Sequence, residues 1–279
     1  MRTLVRRLSA VCAAAAIAMV TVVTVASPAA AQAGPPPDSM ASMGDSITRG
    51  FNACGFYVDC TSRSFSTGSS AGDSHYQRIL EINPAISGNN TNAARSGARV
   101  AEMSDQAQTV VASGAEYVTI LIGANDACTS SESSMTPVAD FRGHIDDALQ
   151  VLATGLPDAQ VMVISIPDIK QLWQAGRGNL LARSAWSLFN ICQSMLANPT
   201  SNAAADVERR DRVQQRVIDY NSELEAACAA YGANCAFDDN VVFNYPFSLS
   251  QVSGWDYFHP NNAGQQVLAE ISYEAGFNW

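Results

Sequence analysis

Three serines in the first third of the chain have neighbours typical of a catalytic nucleophile. Ser46 and Ser74 each end a Gly-Asp-Ser triplet, and Ser70 lies in a G-x-S-x-G pattern with Gly68 and Gly72. A serine hydroxyl becomes a nucleophile only when a neighbouring base removes its proton. The partners of each serine therefore decide which of them could do chemistry.

A histidine and an aspartate near the end of the chain have the spacing of a base and its orienting acid. Asp256 precedes His259 by three residues in the stretch GWDYFHPNNAGQQVLAEI, so one turn of chain can present both side chains. The imidazole would accept the serine proton, and the carboxylate would fix its tautomer and stabilise the positive charge that develops. The alternative is an ordinary loop hydrogen bond ahead of a helix that begins near Pro260.

The elements that would position these residues alternate between strands and helices. Apolar runs predict strands at 39–43, 116–123 and 159–167, and weaker ones near 85–93 and 240–244. Helical patterns cover 75–82, 98–113, 137–155 and 206–232, and a last helix follows Pro260. Because the two central strands are apolar on both faces, we predict an α/β fold with helices on both sides of a parallel sheet. Its active site would lie outside the carboxyl ends of the strands.

Strand context separates the three serines. Ser46 directly follows the first predicted strand, where such a sheet presents chemistry. Ser74 starts the first predicted helix and has Gln77 three residues on, which is the spacing of a capping box. Ser70 lies in a serine- and glycine-rich loop without a preceding strand, so its elbow pattern lacks the required context. Ser46 is the predicted nucleophile, with a strand-to-helix turn as the alternative interpretation of its triplet.

The first 33 residues have the layout of a secretory signal. They hold three arginines near the start, then an apolar run at 11–26 and small residues around Ala31 and Ala33, where a signal peptidase could cut. Paired arginines leave a twin-arginine route as the alternative to general secretion. We expect a secretory signal at 1–33 and one exported domain at 34–279, with no stretch long enough to insert stably in a bilayer.

The charge balance excludes two classes of partner. The chain has 16 Lys and Arg against 26 Asp and Glu, a net charge of −10. Without the three arginines of the predicted signal the balance is 13 minus 26, or −13. Nucleic acids and anionic membrane surfaces both require clustered positive charge, so neither is an expected partner.

The cysteines also indicate export. One lies in the predicted signal, and six remain at Cys54, Cys60, Cys128, Cys192, Cys228 and Cys235. An even number in an exported chain predicts disulfides. We favour pairing in sequence order, because short segments separate the first two and the last two. A zinc site is the alternative, but no C-x-x-C occurs and the three histidines are scattered, so we expect no metal.

Four short blocks carry a resemblance to a known family. They are GDS at 44–46, ARSGA at 94–98, GAND at 123–126 and DYFH at 256–259. In this order they make the chain resemble the SGNH or GDSL hydrolases, which are esterases, lipases and deacetylases, and most closely their secreted bacterial members with three disulfides. The resemblance implies a flavodoxin-like, three-layer α/β/α fold with a five-stranded parallel sheet. Ile47 replaces the commoner leucine after the first block, and ARSGA is the loosest match.

The resemblance also implies a role for each matching residue. Ser46 is the nucleophile, His259 its base and Asp256 the residue that orients the base. The oxyanion hole is formed by the Ser46 N–H, the Gly97 N–H and the Asn125 side-chain amide, and the loss of one such donor typically reduces the rate by about 10² to 10³. The alternatives are that Asn125 is a plain turn residue and Gly97 a plain loop residue.

Other polar and aromatic residues have more ordinary interpretations. Asp45 and Asp126 are interpreted as structural, and His75 and His144 as structural or surface residues within helical patterns. Trp255 is predicted to line the substrate pocket because it is adjacent to Asp256. The segment 169–202, which carries Trp173, Trp186 and Phe189, forms either a wall of that pocket or a cover for the core.

These residues together predict a secreted serine esterase or lipase that hydrolyses carboxylic esters through an acyl-enzyme on Ser46. The predicted substrate is a small-molecule or lipid ester, the predicted state is a monomer, and neither a metal nor an organic cofactor is expected. A polysaccharide O-acetyl esterase of the same fold is one alternative. A non-catalytic binding protein is the other, although Ser46, Asn125 and His259 are all present.

Overall fold

The computed structural model of the protein describes residues 34–70 and 72–279. The predicted secretory signal, 1–33, lies outside the described residues. Within the described part of the chain, no helix has the length and apolar character that crossing a membrane requires.

A five-stranded parallel sheet forms the centre of the fold. Its strands are β1 (Met40–Gly44), β2 (Asn90–Asn92), β3 (Tyr117–Leu121), β4 (Gln160–Val163) and β5 (Cys235–Phe237). They lie in the order β2-β1-β3-β4-β5, and every neighbouring pair is parallel. All five residues of β1 and of β3 are buried, as expected for strands covered on both faces.

Ten α-helices accompany the sheet in the described residues. They are α1 (His75–Ile82), α2 (Met103–Ser113), α3 (Ala124–Ala127), α4 (Val138–Gly155), α5 (Ile169–Gly176), α6 (Leu180–Leu188), α7 (Gln193–Leu196), α8 (Ala204–Tyr231), α9 (Val241–Asn244) and α10 (Asn262–Glu274). Helices α2, α4 and α8 pack side by side, and α1 packs with α10. From β1 the chain moves to one edge of the sheet to form β2, and from β2 onwards it moves towards the opposite edge. Because such connections are right-handed, α1 and α10 cover one face of the sheet, and α2, α4 and α8 cover the other. The predicted three-layer fold is confirmed.

The prediction of the fifth strand was wrong. Residues 240–244 contain the helix α9, and β5 lies earlier, at Cys235–Phe237. Both Asp238 carboxylate oxygens accept bonds from backbone N–H groups of this turn, those of Asn240 and Val242. These bonds to the buried Asp238 hold a helical turn in an apolar run whose periodicity alone predicts a strand.

The end of β1 is held by a glycine and a glutamine. A Cβ on Gly44 would lie 2.3 Å from the Leu121 carbonyl oxygen, so no larger residue fits there. The buried Gln106 side chain of α2 accepts from the Gly44 N–H at 2.7 Å and donates to the Gly44 carbonyl at 2.9 Å. The backbone that leads into Ser46 is therefore fixed on both of its polar groups.

Three disulfides pair the cysteines in sequence order, as predicted: Cys54 with Cys60, Cys128 with Cys192, and Cys228 with Cys235. The middle bond joins the end of α3 to the start of α7, across 64 residues of chain. The last bond joins the end of α8 to β5. The middle bond therefore ties segment 169–202 to the carboxyl edge of the sheet, where β3 ends.

Candidate active site

Ser46, His259 and Asp256 form one chain of hydrogen bonds. The Ser46 Oγ lies 2.8 Å from His259 Nε2, and His259 Nδ1 lies 2.6 Å from Asp256 Oδ2. Because an ionised carboxylate only accepts, this geometry places the imidazole proton on Nδ1 and leaves Nε2 to accept from the serine hydroxyl. The three side chains meet beyond the carboxyl end of β1, where a parallel sheet presents its active site.

The Asp256 carboxylate is buried and receives three further hydrogen bonds. Its Oδ1 accepts from the backbone N–H groups of Phe258 and His259, at 3.0 and 3.1 Å. Its Oδ2 accepts from Asn52 Nδ2 at 2.7 Å, in addition to the imidazole. These bonds satisfy both oxygens of the buried carboxylate and fix its orientation towards the His259 ring.

Tyr257 lies between the acid and the base, in a left-handed conformation with φ of +54°. The indole N–H of the buried Trp186, on α6, donates to the Tyr257 carbonyl at 3.0 Å. This bond holds the strained turn from the side of α6. Sequence reasoning missed Asn52 and considered Trp186 only as a residue of the pocket wall or the core; the two lie 204 and 71 residues from the groups they support.

Of the residues predicted for the oxyanion hole, Gly97 lies on the loop after β2 and Asn125 lies on α3. Gly97 has a φ of +84°, and Asn125 Nδ2 donates to the carbonyl of the next residue, Ala98, at 3.0 Å. A primary amide carries two N–H donors, so Asn125 keeps a second one for another acceptor. Asp126 fastens the same loop, because its Oδ2 accepts from the Val100 N–H at 3.0 Å. Asp126 is thus the loop anchor that the sequence predicted.

Gly123 is the glycine whose backbone allows this approach. Its φ is +120°, and a Cβ there would lie 2.4 Å from Ile166 Cδ1. The chain can therefore turn sharply at the end of β3 and present Asn125 at the carboxyl edge of the sheet.

Asp45 is fully buried directly before Ser46. Its Oδ1 accepts from the Ile47 N–H at 2.9 Å, while its Oδ2 has no hydrogen-bond partner among the described residues. Burial raises the pKa of Asp45 to about 7, opposed by the Ile47 N–H and by the nearby His259. Its partner is a backbone group of the turn, so its contacts are structural, as the sequence suggested.

Ser74 and Ser70 have contacts that explain them without catalysis. Ser74 is the N-cap of α1: its Oγ accepts from the Gln77 N–H at 3.1 Å and donates to the Gly68 carbonyl. The predicted capping box is only half formed, because the Gln77 amide donates to the Ser69 carbonyl instead. Ser70 is exposed in a loop.

The other two histidines lie elsewhere. His75 is buried between the Tyr117 hydroxyl and the Ser272 hydroxyl, each 2.8 Å from a ring nitrogen. Burial lowers its pKa to about 3, so the ring is neutral. Tyr117 begins β3, which puts His75 at the amino edge of the sheet, away from Ser46. His144 is half-buried on α4.

An apolar pocket of about 50 Å³ adjoins the hydrogen-bonded chain. Ile47, Ala124, Phe258 and Pro260 line it, and these residues neighbour Ser46, Asn125 and His259 in sequence. Its remaining wall comes from the loop after β4, the first turns of α5 and residues 247–252.

Segment 169–202 both lines this apolar pocket and covers the core. Ile169 and Leu172 of α5 line the pocket, while Trp173 and Trp186 are buried in the core. Trp255 does not line this pocket but lines a second, more open one with Asn52 and Gly55, so its place in the substrate pocket stays a prediction. Its side chain is 54% exposed on the surface beside the site, and its indole N–H donates to the Gly55 carbonyl at 2.9 Å.

Residues 40–271 match the family model described as GDSL-like Lipase/Acylhydrolase. The chain belongs to this family, which places it among the ester hydrolases. The comparison with curated proteins found no match. In the part of the chain that the structure describes, no group of three or more His, Cys, Asp or Glu side chains is arranged to hold a metal ion.

Three solved structures share the fold at low sequence identity. One, from Parabacteroides merdae, carries the name GDSL-like lipase: it is 16% identical, with a TM-score of 0.53 over 85% of this chain and 94% of that one. An alpha/beta hydrolase enzyme from the metagenome of Lake Arreo, Spain, is 17% identical, with a TM-score of 0.51 over 88% and 95%. A family two carbohydrate esterase from Clostridium thermocellum is 17% identical, with a TM-score of 0.50 over 86% and 64%.

Proposed function

We propose that the protein is a secreted serine esterase that hydrolyses carboxylic esters through an acyl-enzyme on Ser46. The observation that carries the proposal is the continuous hydrogen-bonded chain from Ser46 through His259 to Asp256. The three disulfides support an oxidising compartment, and the signal predicted at 1–33 supports export.

In the first half-reaction, His259 Nε2 takes the Ser46 proton while Oγ attacks the ester carbonyl carbon. The developing oxyanion accepts hydrogen bonds from the Ser46 and Gly97 N–H groups and from the free N–H of Asn125. Asp256 stabilises the imidazolium, which then gives its proton to the departing alcohol.

In the second half-reaction, a water molecule replaces the alcohol. His259 takes a proton from this water as it attacks the acyl carbon, and returns the proton to Ser46 Oγ as the acid leaves. The acyl group lies in the apolar pocket beside Ile47 and Phe258. All proton transfers use groups of this chain acting as a monomer.

The volume of the pocket favours a second candidate, an O-acetyl esterase acting on polysaccharide. A water molecule needs about 10–15 Å³ of cavity, so a volume of about 50 Å³ fits a short acyl chain. A carbohydrate esterase from Clostridium thermocellum shares the fold, which supports the same candidate. A non-catalytic binding protein remains the third hypothesis, and labelling of Ser46 separates it from the other two.

Active-site labelling tests the nucleophile. A fluorophosphonate probe should modify Ser46, as mapped by mass spectrometry, and Ser46→Ala should abolish labelling while Ser74→Ala keeps it. An adduct on Ser70 or Ser74, or no adduct on folded protein, would overturn the proposal. Hydrolysis of p-nitrophenyl esters of increasing chain length, beside acetyl release from acetylated xylan, then decides between the two substrate classes.

A further inference from the structure

Exposed apolar side chains are concentrated around the candidate active site. Twelve large apolar residues are exposed in the described chain, and eight of them fall in three segments. We call these eight the apolar rim: Phe56, Tyr57, Val58, Leu180, Leu181, Leu188, Phe189 and Trp255. Leu188 is 74% exposed, Phe56 68% and Leu180 67%, and such side chains gathered in one patch mark an interaction surface.

The apolar rim is continuous with the proposed base. The Phe51 ring lies 4.9 Å from the His259 ring and 4.9 Å from the Tyr57 ring, centroid to centroid. Tyr57 in turn stacks on Phe189 at 6.1 Å. Trp255 joins the same surface through its hydrogen bond to the Gly55 carbonyl. A molecule lying on the rim therefore lies beside His259.

The parts of the rim are held in place by the fold. The Cys54–Cys60 disulfide closes the loop that carries Phe56, Tyr57 and Val58. Leu181 and Leu188 are seven residues apart on α6, so they share one face, about 10 Å apart along the helix. The rim is thus a preformed surface, because α6 is also fastened by Trp186 to the turn that carries Asp256.

The charge around the rim differs from that of the chain as a whole. None of the 26 acidic residues lies within 169–205, which holds three basic residues, whereas the whole chain has a net charge of −10. In the disulfide loop, the only acid, Asp59, is paired with Arg49 at 2.9 Å. The net negative charge of the whole chain disfavours contact with an anionic membrane surface. The apolar rim itself, however, lacks the negative charge that would repel phosphate headgroups.

We infer that the apolar rim docks the enzyme on the surface of an aggregated ester lipid, with a zwitterionic or neutral headgroup. The inference rests on the proposed function, since the docked lipid would supply the ester to Ser46. Aliphatic leucines match acyl chains, and exposed Tyr and Trp rings suit the level of the headgroups. The three leucines decide between lipid and polysaccharide, because they offer a sugar neither a hydrogen bond nor an aromatic ring to stack on.

Vesicle binding tests the inference. Purified protein is mixed with phosphatidylcholine vesicles and the bound fraction measured by sedimentation, for the wild type and for Leu181→Ser/Leu188→Ser. The matched control is Ile82→Ser/Ile218→Ser, which removes two exposed apolar side chains outside the rim. Ile82 is adjacent to Asn83, which binds the chain before β1, so it lies at the opposite edge of the sheet. Residues 1–33 are common to all three proteins and cannot account for a difference.

The rim variant should bind vesicles about tenfold more weakly than the wild type and the control. It should also hydrolyse emulsified tributyrin more slowly, while its turnover of dissolved p-nitrophenyl acetate stays unchanged. Loss of hydrolysis on both esters in every protein would refute the proposed function instead, so the two failures are distinguishable.

Four results would overturn the inference. The first is that the wild type does not bind the vesicles, and the second is that all three proteins bind them equally. The third is that the wild type binds insoluble acetylated xylan through the rim and has no affinity for vesicles. The fourth is that the wild type sediments as a dimer and the rim variant as a monomer, which would make a second copy of the chain the occupant of the rim.

Discussion

Replacing His75 with glutamine should change how the stability of the protein depends on pH. Burial between Tyr117 and Ser272 lowers the pKa of His75 from 6.5 to about 3. Between pH 6.5 and about pH 3, this histidine binds a proton in the unfolded chain but not in the folded chain. The stability contributed by the neutral ring is therefore present above pH 6.5 and is lost as the pH falls towards 3.

The magnitude follows from the size of the shift. Each pH unit in this window removes about 1.4 kcal/mol, so the step from pH 6.5 to pH 4 removes about 3 kcal/mol of unfolding free energy. His75→Gln cannot titrate. At pH 7 the variant should be less stable than the wild type, because it loses at least one hydrogen bond. This gap, the difference between the unfolding free energies of the two proteins, should narrow by about 3 kcal/mol at pH 4.

Urea unfolding of both proteins at pH 7 and pH 4 measures this gap. Titration of all other groups is common to both proteins and cancels in the difference. A gap of the same size at both pH values would refute the reasoning, because it would mean that His75 takes up its proton in the folded state. Turnover of folded His75→Gln at pH 7 should match the wild type, and its loss would reopen the search for the base.

Three further predictions concern the site and its support. Asp256→Asn should retain more turnover than His259→Ala, because an imidazole without its carboxylate still accepts a proton part of the time; equal loss in both variants, measured as kcat on p-nitrophenyl acetate, would contradict this. Asn125→Ala should lower kcat by about 10² to 10³ with little change in KM, and a change confined to KM would argue against an oxyanion role. Because the raised pKa of about 7 makes the folded Asp45 carboxyl hold a proton that the unfolded chain releases above pH 3.8, the wild type should lose stability as the pH rises. Asp45→Asn does not titrate, so its unfolding free energy relative to the wild type should rise by roughly 4 kcal/mol between pH 4 and pH 8, as measured by urea unfolding. A difference in unfolding free energy that stays constant over this range would contradict the raised pKa.

The sequence predicted the elements whose pattern is long or whose context is distinctive. Helix α1 has the predicted bounds, and the strands β3 and β4 lie within the predicted apolar runs. The prediction of the fifth strand failed because β5 is three residues long, while the stronger apolar run after it forms α9. A short edge strand has too few residues to establish a period, so its position depends on tertiary pairing with β4.

The same distinction holds at the candidate site. Ser46, Asn125 and His259 belong to sequence blocks, so the sequence alone is enough to single them out. Asn52 could not be found in this way, because nothing in its own neighbourhood points to a carboxylate 204 residues away. Trp186 resembled any apolar helix residue, and only the fold brings its indole N–H to the Tyr257 carbonyl.

The hydrogen bond between Ser46 and His259 spans 213 residues, nearly the whole described chain. The last strand of the sheet ends at Phe237, but the proposed base, His259, comes later in the chain. During synthesis, a nascent chain can form every strand while its serine hydroxyl still lacks a proton acceptor. On the proposed mechanism, ester cleavage therefore requires synthesis to continue past the sheet to His259, and a product terminated between Phe237 and His259 should not hydrolyse esters.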